Sequence, residues 1–187
     1  MSYIRSNQAY RPNSTRPKDP KKQYQGAVNK ALGKRFEEKI SESLRHYELG
    51  GYIAVEKTPE PMQLVKDLGG GRFIAQFTKD AQPDFQGTLR GGRSVVFEAK
   101  HTTSDRITAN RVTDEQVRRL DKHEAMGAVC FVVVGFNMRD FFRVPWEDWK
   151  NMKTLFGHKY ATPAELEPYR IPVNKKQVLL IFTNNKR

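Results

Sequence analysis

The sequence predicts a mixed α/β fold in which a central sheet is flanked by helices, and three observations carry that expectation. An amphipathic helical pattern occupies 29–49, a hairpin pattern follows at 83–100 (PDFQGTLRGGRSVVFEAK), and strand, helix and strand run in order from 94 to 134. The last of these strands, within AVCFVVVG at 128–135, is apolar throughout, as a strand buried on both faces requires. A strand, helix, strand order implies a right-handed crossover and layered packing. At 187 residues the chain can bury one core and carry an appendage.

Residues 1–28 lack helical or strand periodicity and are rich in Pro, Asn, Ser and Gln. Up to Lys30 they carry Arg5, Arg11, Arg16, Lys18, Lys21, Lys22 and Lys30 against one acid, Asp19. Such a composition cannot bury enough surface to order itself, so it reads as a flexible basic arm that contacts phosphates, or as a solubilising tail. Tyr3, Tyr10 and Tyr24, interleaved with these charges, could stack on unpaired bases. The folded domain is expected over 29–187.

Leu32, Phe36, Ile40 and Leu44 recur every fourth residue, with Tyr47 next, so the first helix runs from Asn29 to Leu49 and closes at Gly50-Gly51. Glu37 sits at the edge of that buried stripe, either solvated or aimed at a strand end. A short strand at 52–56 precedes Lys57-Thr58-Pro59-Glu60-Pro61, whose prolines forbid a helix. Two strand-like runs then flank Gly69-Gly70-Gly71, giving an inserted hairpin at about 57–80. Its Lys57, Lys66, Arg72 and Lys79 suit phosphate contacts better than a core, with a plain sheet extension as the alternative.

In the 83–100 hairpin, Asp84 heads the first strand, Gly91-Gly92 supply the turn, and Ser94 to Lys100 form the second strand. Alternation puts Glu98 and Lys100 on one side and Phe97 and Ala99 on the other. With a modest stagger Asp84 joins them, making two carboxylates and an ammonium around one point. Hard oxygen ligands of this kind suit Mg²⁺ or Mn²⁺ and phosphodiester hydrolysis. A turn residue beside a solvated strand face is the bland alternative.

Further on, Thr113 with Gln116 forms a capping box ahead of Val117, Leu120 and Met126. Strands are expected at 128–135, 141–144 and 177–182, a helix at 145–152, and a second capping box at Thr162 with Glu165. Trp146 and Trp149 read as packing residues, and Cys130 as a small core residue. Alternation turns His101 away from Lys100, so it receives no role.

Lys plus Arg number 33 against 21 Asp plus Glu, a net charge of +12 with pI near 9.9, which points to a polyanionic partner. No run approaches the roughly 20 apolar residues that span a bilayer, and no signal-peptide core is present, so an intracellular, soluble protein is expected. A single cysteine excludes an internal disulfide. Zinc-finger spacing, a Gly-rich phosphate loop and HExxH are all absent from the sequence.

With these elements in order, the chain resembles the PD-(D/E)xK nuclease superfamily, and within it the RecU family of Holliday junction resolvases. The matching stretches are GKRFEEKI at 33–40, YIAVEKTPEPMQLV at 52–65, PDFQG at 83–87, VVFEAKHT at 95–102 and DEQVRRLDKHEAMGAVCFVVVGF at 114–136. The resemblance implies a restriction-endonuclease-like mixed sheet and an active site of Glu37, Asp84, Glu98, Lys100 and Gln116. Asp84, Glu98 and the Ala99 carbonyl would bind Mg²⁺ (or Mn²⁺), with Glu37 acting through water. It also implies a homodimer cutting symmetry-related strands of a four-way junction, with the 57–80 insertion as a stalk at the junction centre. Where the family often has Thr-Asp or Ser-Asp, this chain has Pro83-Asp84, and the part beyond about 146 matches poorly. That divergence inclines the reading toward a phage-encoded copy acting in a bacterial cytoplasm. A duplex- or flap-cutting nuclease of the same superfamily, and a non-enzymatic DNA-binding protein, stay open as alternatives.

Overall fold

The computed structural model describes residues 19–78 and 82–182. In chain order its elements are α1 (Pro20–Leu49), β1 (Ile53–Lys57), β2 (Met62–Gly69), β3 (Arg72–Phe77), β4 (Phe85–Leu89), β5 (Ser94–Thr102), β6 (Ile107–Thr108), α2 (Asp114–Ala125), β7 (Val129–Phe136), β8 (Asp140–Pro145), α3 (Trp146–Lys150), α4 (Met152–Phe156) and β9 (Tyr160–Ala161). Five strands form the central sheet in the order β1-β4-β5-β7-β8. Only β5 and β7 run parallel, joined by the crossover through α2, and every other neighbouring pair is antiparallel.

Helix α1 begins earlier than the apolar stripe predicts. Asp19 caps it by accepting the Lys21 N–H at 3.0 Å, and Pro20 occupies a first-turn position where a missing N–H costs nothing. Residues 20–28 of the expected flexible arm are therefore helical, and Lys21 and Lys22 lie exposed in the first turn. Periodicity could not reveal this because residues 20–27 are exposed all round; burial starts in earnest at Phe36. Arg5, Arg11, Arg16 and Lys79 lie outside the described residues.

Strand alternation divides the core in two. Val95, Phe97 and Ala99 face α1, where Phe36, Ile40 and Leu44 cover them; Val96 joins Val132, Val134, Leu120, Trp146 and Trp149 on the α2 side. On the α1 face, Phe85, Phe97 and Phe131 stack across β4, β5 and β7 with centroids 4.9 and 4.6 Å apart, and the Arg143 guanidinium closes the ladder 4.5 Å above Phe131. On the other face, Cys130 Sγ donates to the Leu120 carbonyl at 3.6 Å, and Trp146 Nε1 donates to Asp121 at 2.8 Å.

Three expectations for the C-terminal third change. The helix expected at 145–152 is two short helices, broken at Asn151. The capping-box contacts of Thr162 and Glu165 form, but only turns and a 3₁₀ helix at Glu167–Tyr169 follow. The apolar run at 177–182 is not a strand: among the described residues its only ladder contact is one bridge between Val173 and Leu179, and Gln177 has φ 62°. Its apolar residues serve burial instead. Leu179 and Ile181 pack under α1, and the Leu179 N–H donates to Ser43 Oγ at 2.9 Å.

The insertion is a separate two-stranded sheet, β2 with β3, turning on three glycines at φ 74°, 62° and 76°. Leu64, Val65, Leu68, Phe73, Ile74 and Phe77 are all exposed on it, as are Lys66 and Arg72.

One close approach positions the site. Gly87 pairs with Val55 across β4 and β1, and a Cβ there would fall on the Ala54 carbonyl oxygen and 2.6 Å from Val55 Cα. Since those atoms are backbone, no rotamer change relieves the clash. Gly87→Ala is expected to destabilise the fold by about 3 kcal/mol, the upper end of overpacking costs, measured by urea unfolding; a change under about 0.5 kcal/mol, the range of innocuous surface substitutions, would show that β1 yields freely.

Candidate active site

Register assembles the site. Phe85 pairs with Phe97, so Asp84, one residue before β4, falls beside Glu98 and accepts the Ala99 N–H at 2.8 Å. Glu98 points to the α2 face and is fully buried at 0% exposure. Lys100, two residues on, shares that face: its Nζ donates to Glu98 Oε2 at 3.0 Å and lies 3.9 Å from Asp84 Oδ2. The predicted trio of two carboxylates and one ammonium is thus brought together.

Gln116 completes it through helix capping. Its side-chain oxygen accepts the Thr113 N–H at 3.1 Å, the second half of the capping box. The same oxygen accepts from Lys100 Nζ at 3.2 Å, and Gln116 Nε2 donates to Glu98 Oε2 at 2.6 Å. One residue therefore orders the start of α2 and fixes both Glu98 and Lys100. Glu98 Oε2 has two donors, while Oε1 is buried with no partner among the described residues.

Glu37 stands apart from that group. It reaches the same cleft, a hollow of about 290 Å³ shared with Lys57, Asp84 and Gln116, but its carboxylate pairs with Lys57 Nζ at 2.7 Å. That carboxylate holds the Lys57 ammonium above its ordinary range. Among the described residues no three His, Cys, Asp or Glu side chains converge closely enough to hold a metal ion. The donor set is two carboxylates, with a buried Glu98 oxygen left over, and that is what a hard divalent cation takes together with backbone carbonyl and water. These residues fit such an ion.

Thr58 is a cleft residue that the sequence did not single out. Its N–H donates to the Asp84 carbonyl at 2.9 Å, and its buried Oγ1 has no partner among the described residues. The signal was available in the register, since Lys57 pairs with Phe85 and the next rung joins Thr58 to Asp84. His101, as alternation predicted, turns to the α1 face and lies against Phe36.

A mixed sheet with a helix on each face, PD entering one central strand and ExK ending its neighbour, defines the restriction-endonuclease-like class. The comparisons with known proteins narrow this. The family model "Recombination protein U" (RecU) matches residues 31–183. Holliday junction resolvase RecU of Pediococcus pentosaceus is 31% identical over 110 residues, 56% of this chain and 54% of that protein, so the match spans about half of that relative's length. The Streptococcus sanguinis protein of the same name is 27% identical over 160 residues, covering 76% of this chain and 80% of its own. Hjc, a Holliday junction resolvase of Archaeoglobus fulgidus, overlays with a TM-score of 0.42 at 14% identity, over 72% of this chain and 92% of that one. The chain belongs to the RecU family.

The site carries a pH signature of its own. Burial, and then the Asp84 charge, push the Glu98 carboxyl up to about 8 from 4.5, with Lys100 opposing. An acid whose pKa is higher in the folded chain than in the unfolded one binds its proton more tightly when folded, so stability falls as pH rises between those values. In chelator-treated protein the melting temperature of wild type is expected to drop relative to Glu98→Gln as pH rises from 5 to 8, followed by calorimetry; parallel curves would show that Glu98 ionises without penalty.

Proposed function

We propose that this chain is a metal-dependent endonuclease that resolves four-way DNA junctions by paired nicks. The observation that carries the reading is the buried Glu98 beside Asp84, with one oxygen held by Lys100 and Gln116 and the other without a partner among the described residues, in a chain of this family. Asp84, Glu98 and the Ala99 carbonyl would hold Mg²⁺, or Mn²⁺, which when bound supplies Lewis acidity to the phosphoryl group and lowers the pKa of a water. Glu98 must release its proton to serve, and Gln116 keeps its carboxylate aimed. Lys100, already donating to Glu98 and lying 3.9 Å from Asp84, is placed to donate to a phosphate oxygen or to the attacking water as negative charge develops. Glu37, on freeing itself from Lys57, completes the acidic rim, and Lys57 is then available to a strand phosphate.

The rest of the molecule supports a branched substrate. A homodimer would present two equivalent sites to two equivalent phosphates. The stalk, which exposes apolar side chains beside Lys66 and Arg72, suits the open centre of a junction, where bases can be stacked on. On this reading the protein acts in the cytoplasm of a bacterial cell; no helix among the described residues is long and apolar enough to cross a membrane.

Cleavage of a labelled four-way junction beside a linear duplex of the same arms tests this directly. Wild type with Mg²⁺ is expected to nick the junction symmetrically; EDTA or Asp84→Asn is expected to abolish cleavage while leaving junction affinity within about twofold, since a metal ligand and not a phosphate contact is lost. Equal attack on both substrates would make this a duplex nuclease, and tight binding without cleavage an architectural protein.

Salt dependence tests the arm. Residues 1–18 carry Arg5, Arg11, Arg16 and Lys18, and their removal is expected to lower the log–log salt slope of duplex binding by up to about 3.6, at about 0.9 per phosphate neutralised. An unchanged slope would take the arm out of the DNA contact.

A further inference from the structure

A second pocket opens at the far end of the sheet from Asp84 and Glu98. Asp84 and Glu98 lie five residues along β4 and β5 from Leu89 and Arg93 of this pocket, about 16 Å at 3.3 Å per residue. It measures about 550 Å³, the size of a small-ligand site. Arg90, Arg93 and Arg143 line it together with the rings of Tyr47, Tyr52 and Phe182, and among the described residues no acidic side chain does.

Arg143 is the unusual member. It projects from β8 onto the α1 face, half-buried, with its guanidinium 4.5 Å from the Phe131 ring centroid and 5.9 Å from that of Phe182. Aromatic faces stabilise a cation but do not neutralise it. No carboxylate pairs with Arg143 among the described residues; the group that opposes the effect of burial on it is the Tyr47 hydroxyl, which accepts the Phe182 N–H at 3.4 Å. Burial without a counter-ion presses its guanidinium below its ordinary value. By contrast, Arg170 forms ion pairs with both Asp140 and Glu167, and Lys150 with Asp121 and Glu124.

A cation withdrawn from water this far is costly unless an anion meets it. Two further guanidiniums point to a doubly charged one: Arg93 is held at the rim by its Nε donating to the Gly127 carbonyl at 3.1 Å, and Arg90 is exposed beside it. Guanidinium forks match phosphate oxygens. Tyr52, 57% exposed, and Phe182 offer flat apolar surface next to those charges, which a bare inorganic anion would leave unused.

We propose that this pocket binds a nucleoside 5′-phosphate, as a free nucleotide or as the phosphorylated end of a nucleic-acid strand. Arg143 and Arg90 take the phosphate, and Tyr52 and Phe182 take the base. The site is independent of the nuclease centre and does not rest on the cleavage reading.

Calorimetric titration of the full chain in EDTA tests it, with dAMP, deoxyadenosine, inorganic phosphate, and short deoxyoligonucleotides bearing either a 5′-phosphate or a 5′-hydroxyl. dAMP is expected to bind at least about tenfold tighter than deoxyadenosine or phosphate, and both Arg143→Gln and Arg90→Glu to weaken it about tenfold, the worth of one charge-assisted contact. Asp84→Asn should leave it unchanged. If Arg143→Gln fails to fold, the exposed Arg90→Glu and Tyr52→Ala carry the test. A preference for the 5′-phosphorylated oligonucleotide over its 5′-hydroxyl twin identifies a strand end as the source; binding of dAMP alone identifies a free nucleotide. The proposal is overturned if dAMP binds no tighter than phosphate, if its binding ignores Arg143 and Arg90, or if it depends on Asp84. It is equally overturned if wild type ignores dAMP and Arg143→Gln splits a dimer, which would make the pocket an interface between copies.

Discussion

The adjacency of Asp84 and Glu98 is the constraint around which the rest of the molecule is arranged. Two carboxylates side by side at the end of a sheet, one of them without solvent contact, repel each other and lack water to soften the repulsion. They persist because Lys100 sits between them, because Ala99 donates its N–H to one and Gln116 its amide to the other, and because the surrounding fold is rigid enough to deny them an escape. That rigidity comes from a phenylalanine ladder beneath one face of the sheet and a tryptophan-rich layer above the other.

Strand parity sorts chemistry from support. Along β5 the odd positions go to α1, apolar at Val95, Phe97 and Ala99 and ending in His101, whereas Glu98 and Lys100 go to the side where α2 begins. The crossover then delivers the first turn of α2 to that edge, so a residue needed to cap a helix is also within reach of the acids. Topology and local capping thus meet in Gln116.

How far the sequence discloses this depends on whether a feature is periodic and local. The hairpin at 83–100, the capping box at Thr113 and the doubly buried β7 follow from alternation and turn chemistry, and the structure places each within a residue or two of expectation. The unpacked first turns of α1 have no apolar stripe to announce them, and the run at 177–182 is apolar because it is buried, although it forms no strand. The ion pair of Glu37 with Lys57 joins a helix to a strand end across space and leaves no trace in spacing. Thr58 was overlooked for a different reason: its importance comes from the strand it continues, not from its own side-chain type.

The buried thiol has a practical side. Cys130 is shielded between β7 and α2, its sulfur engaged with the Leu120 carbonyl, and its pKa is pushed up to about 11, first by burial. Thiolate is the reactive form, so the natural chain is close to inert toward maleimides and mild oxidants at neutral pH. A cysteine introduced at the glycine tip between β2 and β3 would therefore be the single labelled position without first removing the native one, and a fluorophore or spin label there would report on the stalk alone.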